Sequence, residues 1–131
     1  MNDENAKDLT TLLTRLSKEE YCYLTTTGRV SGKPHEIEIW FGFMDGKLYL
    51  LSGGGGDSDW VKNLAKTPQV IVRIAKHTFT GQAHTLNDQK EDAPIRKLLD
   101  GKYQGWREGH RLSKWARTAL PVEIKFYSVG R

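Results

Sequence analysis

Residues 24–56 read LTTTGRVSGKPHEIEIWFGFMDGKLYLLSGGGG, and this stretch contains the features that predict the fold. Its beginning and residues 35–44 and 47–51 are rich in β-branched and aromatic side chains, as strands are. Asp45-Gly46 stands between the last two runs and is typical of a two-residue hairpin turn. Glycine-bearing segments precede and follow this hairpin, and glycine lets backbone N–H groups approach a ligand closely. The stretch therefore predicts an antiparallel hairpin flanked by two candidate binding loops.

Outward from this hairpin, the same signals predict a mainly β chain with flanking helices. The i, i+3, i+4, i+7 spacing of Leu9, Leu12, Leu13 and Leu16 indicates an amphipathic helix. Asp57 or Ser58 can cap a short helix that Thr67-Pro68 ends, and Gly101 is expected to stop a later helix. The predicted strands are 21–26, 35–44, 47–51, 69–75, 78–86 and 122–127, with a turn near Lys76-His77, and the later helices are 88–100 and 111–118. Six antiparallel strands with glycine-rich corners favour a small closed barrel.

A length of 131 residues predicts one domain, residues 1–131. We assign its parts as follows: 1–19 to an N-terminal helix, 20–86 to barrel strands with a short helix at 58–66, 87–120 to a helical or lid segment, and 121–131 to the final strand. Residues 102–111 are predicted to form a mobile lid, with Gly101, Gly105 and Gly109, which recur every four residues, as candidate hinges. Tyr103 and Trp106 between them are expected to shield a reaction from water.

The composition predicts a cytoplasmic protein. The N-terminus lacks the apolar run of a signal peptide, and no apolar stretch is long enough to span a membrane, so no stable membrane insertion is expected. The single cysteine, Cys22, lies in an apolar run and is expected in the core. The formal net charge is +4, with seven Lys or Arg against two acidic residues from Arg96 to Arg117. This excess favours an anionic ligand or a solvated basic face.

The first glycine segment, Gly28–His35, is either a plain hairpin loop or an anion-binding nest. In a nest, backbone N–H groups and the Ser31 hydroxyl bind the anion, and Arg29 and Lys33 supply charge. The second segment, Ser52–Asp57, has neither the Lys-Ser/Thr of a P-loop nor the spacing of a dinucleotide fingerprint. It is either a flexible surface loop or a backbone against which a flat ring or a phosphate lies. A helix follows the second segment, and a helix N-terminus attracts anions. The two glycine segments together therefore point to a phosphate-bearing cofactor.

Other chemistries have less support in the sequence. His77 and His84 lack metal-ligand spacing, so no metal site is expected, and no nucleophile has a visible base. The segment Lys102–Arg107 mixes basic and aromatic side chains. Such a mixture stacks on single-stranded nucleic acid, packs as core aromatics with a basic rim, or covers a ring-shaped substrate. Core aromatics are favoured over nucleic-acid binding, so no nucleic-acid partner is expected.

The two glycine segments and their surroundings resemble the deazaflavin-dependent nitroreductase family, over about residues 20–75 and weakly to the final strand. The matching positions are Leu24-Thr25-Thr26-Thr27-Gly28-Arg29, Ser31-Gly32, Pro34, Asp45-Gly46, the glycine-rich loop, Trp60, Asn63-Leu64, Thr67-Pro68 and Val70. The resemblance implies a split β-barrel of the FMN-binding type, which the six predicted antiparallel strands suit. It also implies reduced coenzyme F-420 as hydride donor and a small-molecule electron acceptor: a quinone, a nitro compound or an activated alkene.

By matching position, the resemblance also assigns cofactor-binding residues. Those implied for the phosphate and acidic tail are Arg29, Ser31, Gly32 and Lys33, with His35 beside them, and those implied for the deazaflavin ring are Ser52, Gly53, Gly54, Trp60 and Asn63. Many family members are basic where this chain has Val30, His35 and Gly53, so FMN is the alternative cofactor. The proton donor is open among Tyr103, His35, His110 and solvent.

Three functions are open at this point. The first is an F-420-dependent reductase, and the second is an FMN-binding split-barrel protein, either reductase or flavin carrier. The third is a non-redox binding protein that uses the basic C-terminal segment. We also predict a homodimer, because Trp40, Phe41 and Phe43 supply more apolar area than one interior is expected to absorb.

Overall fold

The structure, a computed structural model, describes residues 3–86 and 89–130, which contain four α-helices and seven strands. The helices are α1 Asp3–Leu16, α2 Asp59–Lys66, α3 Gln89–Gln104 and α4 Lys114–Thr118. The strands are β1 Cys22–Thr27, β2 Pro34–Ile39, β3 Gly42–Met44, β4 Lys47–Ser52, β5 Gln69–Ile74, β6 His77–Thr85 and β7 Leu120–Gly130. None of the helices in these two ranges has the length and apolar character needed to cross a membrane.

The strands form one curled antiparallel sheet in the order β2-β1-β5-β6-β7-β4-β3. The prediction of a mainly β, antiparallel split barrel with flanking helices is therefore confirmed. The hydrogen-bonded order of the described strands has two ends, β2 and β3, so the barrel is split there rather than closed all round. Only Trp40 and Phe41 separate these two strands in the chain.

The predicted strand 35–44 is in fact two strands, which makes seven rather than six in the described part of the chain. The break falls at Phe41, whose N–H donates to the Tyr103 hydroxyl at 3.0 Å. The Phe41 carbonyl accepts from Lys102 Nζ at 3.1 Å. Because side chains of α3 satisfy both backbone groups, no neighbouring strand is needed at this corner.

Three other boundaries differ from the predicted ones. Gly101 lies inside α3, which ends before Gly105, a residue with a φ of 71° that continues no right-handed helix. α4 begins after Ser113, whose hydroxyl accepts from the Ala116 N–H at 3.1 Å as an N-cap. The β5–β6 turn falls at residues 75–76, and His77 already belongs to β6. The predicted helix start at Asp88 lies outside the described residues.

Strand β4 is buried on both faces, which explains its continuous apolar run. Leu48 and Leu50 face the main core inside the curled sheet, together with β1, β5, β6 and β7 side chains. Tyr49 and Leu51 face a second cluster that includes buried side chains of α3. Cys22 is fully buried in the main core, as predicted, and burial raises the pKa of its thiol to about 12.

Candidate functional site

A cavity of about 510 Å³ lies between the β1–β2 turn, strand β2 and helix α2, and we call it the turn cavity. The turn contributes Gly28, Arg29 and Ser31 to its wall, all three from the first glycine segment. The other predicted site residues that line it are His35, Trp60 and Asn63. A concave site of this size, with a few converging polar groups, is suited to a small-molecule ligand.

Gly28 brings two polar side chains together at the rim of the turn cavity. A Cβ atom placed there would lie 2.7 Å from Ser31 Oγ and 2.7 Å from His35 Nε2. The turn is closed by hydrogen bonds from the Gly28 N–H to the Lys33 carbonyl and from the Gly32 N–H to the Gly28 carbonyl, at 2.8 and 2.9 Å. Only glycine fits here, because the Ser31 and His35 side chains pack directly on its backbone, and we call these three residues the Gly28 cradle.

Helix α2 holds Arg29 in the wall of the turn cavity. Asn63 Oδ1 accepts from the Arg29 backbone N–H at 3.1 Å and from Arg29 Nη1 at 2.9 Å. Asn63 Nδ2 donates to Thr26 Oγ1 at 3.1 Å, and the Asn63 side chain is almost fully buried. Asn63 therefore positions the turn and its arginine, a role that depends on residues 34 positions apart in the sequence.

The turn cavity is less positively charged than the sequence predicted from Arg29 and Lys33. Arg29 Nη2 pairs with Asp59 Oδ1 at 3.0 Å, and Glu36 lines the same wall. Lys33 and Gly32 belong to the turn but not to the residues that line the cavity. An anion in this cavity therefore competes with Asp59 for the arginine, and it relies more on the hydroxyl and backbone N–H groups.

The second glycine segment does not share the turn cavity. Of the described residues that line it, none is Ser52, Gly53 or Gly54, although all three were assigned to the same site. Ser52 is buried, and its hydroxyl bonds to the Gly55 carbonyl and the Ser58 hydroxyl, both at 2.9 Å. Ser52 therefore stabilises the loop before α2, and its contact with the deazaflavin stays a prediction.

A second, aromatic cavity of about 250 Å³ lies further along β2, and we call it the aromatic slot. Its lining residues are Tyr21, Glu38, Ile39, Trp40, Leu51 and Trp115. Gly53 lies beside this slot, because a Cβ atom there would be 3.7 Å from Trp115 Cδ1. Strand β2 runs between the two cavities: residues 35–37 line the turn cavity, and residues 38–39, with Trp40 just after the strand, line the slot.

Sequence reasoning did not identify Tyr21, Trp40 or Trp115 as site residues. Trp40 was interpreted as interface area, and Trp115 only as part of a helical segment. The signal that was present is an aromatic residue directly before Phe41 and Gly42, where a strand can break. That signal identifies a corner, but it does not indicate which residues pack against the corner.

The three candidate proton donors lie in different surroundings. His35 lines the turn cavity, whereas Tyr103 and His110 line neither cavity among the described residues. Burial raises the pKa of Tyr103 to about 12. In the proposed lid, Trp106 Nε1 donates to the His110 carbonyl at 2.7 Å, so this indole is bonded within its own loop. Motion of this lid over the substrate side of the deazaflavin ring stays a prediction.

Comparisons with known proteins agree with this fold. A profile of the F420H(2)-dependent quinone reductase family matches residues 3–125. Similar solved structures include a conserved hypothetical protein of Mycobacterium tuberculosis, at a TM-score of 0.75 and 17% identity over 98% of this chain and 82% of that one. A candidate pyridoxamine 5'-phosphate oxidase of Listeria innocua has a TM-score of 0.69 and 18% identity, over 93% and 95%. A protein described as an F420 reductase has a TM-score of 0.63 and 13% identity, over 88% of this chain and 94% of that one. Identities this low show the shared fold alone.

Proposed function

The chain belongs to the F420H(2)-dependent quinone reductase family, and we propose that it reduces a planar, quinone-type acceptor bound in the aromatic slot. It is an oxidoreductase that depends on reduced F-420, and this coenzyme supplies a hydride when bound. Nitro compounds and activated alkenes are the other acceptors of the proposed class, because they too are small and accept a hydride. The protein supplies binding, orientation and exclusion of water.

The turn cavity fits the phosphate-bearing part of the coenzyme. Arg29 and Ser31 are the side chains proposed to bind the phosphate, and the cradle at Gly28 supports this proposal. Ile37 and Trp60 supply apolar wall on the strand and helix sides of the cavity. We propose that Lys33 contributes less to phosphate binding than the family resemblance implied, because it does not line the turn cavity.

One observation supports the pairing of coenzyme and acceptor most directly: consecutive residues of β2 line both cavities. A strand rises about 3.3 Å per residue, so Ile37 and Ile39 are roughly 7 Å apart along β2. A ligand in the turn cavity and a flat acceptor in the slot are therefore near enough to meet without a large movement. The slot is lined mainly by aromatic and aliphatic side chains, which favour a flat apolar ring.

We propose that solvent supplies the proton to the reduced acceptor, because His35 lies beside the proposed phosphate site and does not line the aromatic slot. The His35 Nε2 atom packs against Gly28 in the wall of the turn cavity. The Tyr103 hydroxyl is bonded to backbone groups of the β2–β3 corner, so its proton is already engaged. Solvent enters the turn cavity at the exposed Val30, and His35 is the alternative donor.

Fluorescence titration with F-420 tests the proposed function. We expect saturable binding, and oxidation of reduced F-420 when a quinone is added. FMN is the control cofactor and a single-stranded oligonucleotide at low salt is the control anion. Tighter binding of FMN than of F-420 would support the flavin-carrier alternative, and tight, salt-sensitive oligonucleotide binding without turnover would support the non-redox alternative.

Asp59→Asn is expected to tighten F-420 binding about two- to fivefold, because it releases Arg29 from an exposed ion pair worth less than about 1 kcal/mol. The gain is expected to shrink at high salt, where surface charges are screened. Asp57→Asn is the matched control, since Asp57 is also exposed and near α2 but does not line the cavity. An equal gain from both variants would show that only the net charge matters.

A homodimer remains our proposal, but the surface first inferred is wrong. Phe41 is fully buried and Phe43 packs on the main core, so one interior does absorb these aromatic residues. The outer face of β1 and β5 is the better surface, because Ile71 is 45% exposed there.

Light scattering is expected to give a dimer at micromolar concentration and a monomer for Ile71→Asp. Val30→Asp, at an exposed apolar residue of the β1–β2 turn, is the control. A monomeric wild-type protein would contradict the proposal.

A further inference from the structure

The β2–β3 corner is held by two neighbouring residues of α3. The Tyr103 hydroxyl accepts from the Phe41 N–H at 3.0 Å and donates to the Glu20 carbonyl at 2.8 Å. Lys102 Nζ donates to the Phe41 carbonyl at 3.1 Å and lies 3.7 Å from the centroid of the Phe41 ring. The corner therefore depends on the last turn of α3 for its backbone hydrogen bonds.

Trp40, on the same corner, lies between two other aromatic rings. Its ring stacks on Tyr103 with 4.4 Å between centroids and 4° between planes. On another side it meets Trp115 edge-on, at 5.3 Å and 85°. Trp40 and Trp115 both line the aromatic slot, whereas Tyr103 does not. Tyr103 thus lies behind one wall of the slot and contacts it over a full ring face.

We propose that Tyr103 is a positioning residue that determines acceptor specificity by holding the Trp40 indole as a flat wall of the slot. This inference rests on the proposed function, because it concerns the acceptor site of that reaction. With Trp40 held in one orientation, the slot accepts flat ring systems and excludes acceptors with bulky groups out of the ring plane. Without the stacked ring, Trp40 gains rotamers and the slot loses its defined width.

The hydroxyl and the ring of Tyr103 have separable parts in this arrangement. The hydroxyl holds the backbone of the corner, and its raised pKa keeps it protonated over the ordinary working range of pH. The ring alone contacts Trp40. Tyr103→Phe therefore keeps the ring that stacks on Trp40 and loses the hydrogen bonds of the hydroxyl to the backbone. Tyr103→Leu loses both the stacked ring and these hydrogen bonds.

The test measures KM, kcat and the Kd of F-420 for both variants, with a flat naphthoquinone and with a quinone that carries a bulky out-of-plane substituent. For Tyr103→Leu we expect KM for the flat quinone to rise about three- to tenfold, the range of one aromatic pair. We expect the preference for the flat quinone to fall, with kcat and the Kd of F-420 changed less than about twofold. Tyr103→Phe is expected to keep most of the preference. Tyr127→Leu, at an exposed tyrosine of β7, is the matched control.

Near-UV circular dichroism gives a readout that needs no substrate. Two indoles 5.3 Å apart are expected to give a coupled signal, which Trp40→Phe identifies by removing it. The inference predicts that Tyr103→Leu weakens this signal and that Tyr103→Phe keeps it. It is overturned if Tyr103→Leu leaves the signal and the acceptor preference intact, or if Tyr103→Phe loses kcat with KM unchanged, as a proton donor would. Wild-type protein that binds neither F-420 nor quinone would instead overturn the proposed function.

Discussion

Arg96→Ala is expected to lower the free energy of unfolding by about 3–5 kcal/mol, the usual cost of removing one partner of a buried ion pair. Arg96 Nε and Nη2 lie 3.2 Å from the two carboxylate oxygens of Asp92, which is 3% exposed. Arg96 Nη1 also donates to the carbonyls of Ala116 and Ala119, both at 2.8 Å. The variant therefore leaves a buried carboxylate without its cation and removes a cap from the end of α4.

Urea unfolding measures this loss of stability, and two further variants serve as comparisons. Lys97→Ala removes an exposed ion pair with Glu108 from the same helix, and it is expected to cost less than about 1 kcal/mol. Asp92→Leu with Arg96→Met removes both buried charges together and is expected to recover a large part of the stability. An Arg96→Ala variant as stable as Lys97→Ala would show that α3 and α4 do not depend on this pair.

Arg29→Gln combined with Ser31→Ala is expected to weaken F-420 binding by about 2–4 kcal/mol, a rise in Kd of roughly 30- to 1,000-fold. Both side chains line the turn cavity, and each is expected to contribute a charge-assisted hydrogen bond to the phosphate. Lys33→Gln is the matched control for loss of positive charge, because Lys33 is in the same turn but outside the cavity lining. Fluorescence titration measures all three proteins.

Gly28→Ala tests the same site without removing a charge. The added Cβ would lie 2.7 Å from both Ser31 Oγ and His35 Nε2, so these side chains must move out of the cradle. We expect F-420 binding to weaken while urea unfolding changes little, because the turn lies at the rim of the fold. If Lys33→Gln weakened binding as much as the Arg29 and Ser31 changes, the phosphate would lie outside the turn cavity.

Interactions between near neighbours in the sequence were predictable. Asp45-Gly46 predicted a two-residue hairpin turn, and both residues have positive φ, 55° and 77°, with Met44 and Lys47 paired on either side. The antiparallel pairing of β1 with β2, β3 with β4 and β5 with β6 follows from such hairpins, and the burial of Cys22 follows from its apolar surroundings in the sequence. The first glycine segment was also identified as part of a candidate site, because close backbone approach is a local property of glycine.

The tertiary structure alone decided where the long strand breaks, which residues form the aromatic slot and what Asn63 does. The break depends on Tyr103, which is 62 positions from Phe41, and Asn63 bonds Arg29 across 34 positions. Local periodicity reports the conformation of a segment and the face it buries, but not which helix packs against it. The packing of α2 and α3 on the curled sheet brings these side chains together. A hydrogen bond between distant residues leaves no periodic trace in the sequence on either side.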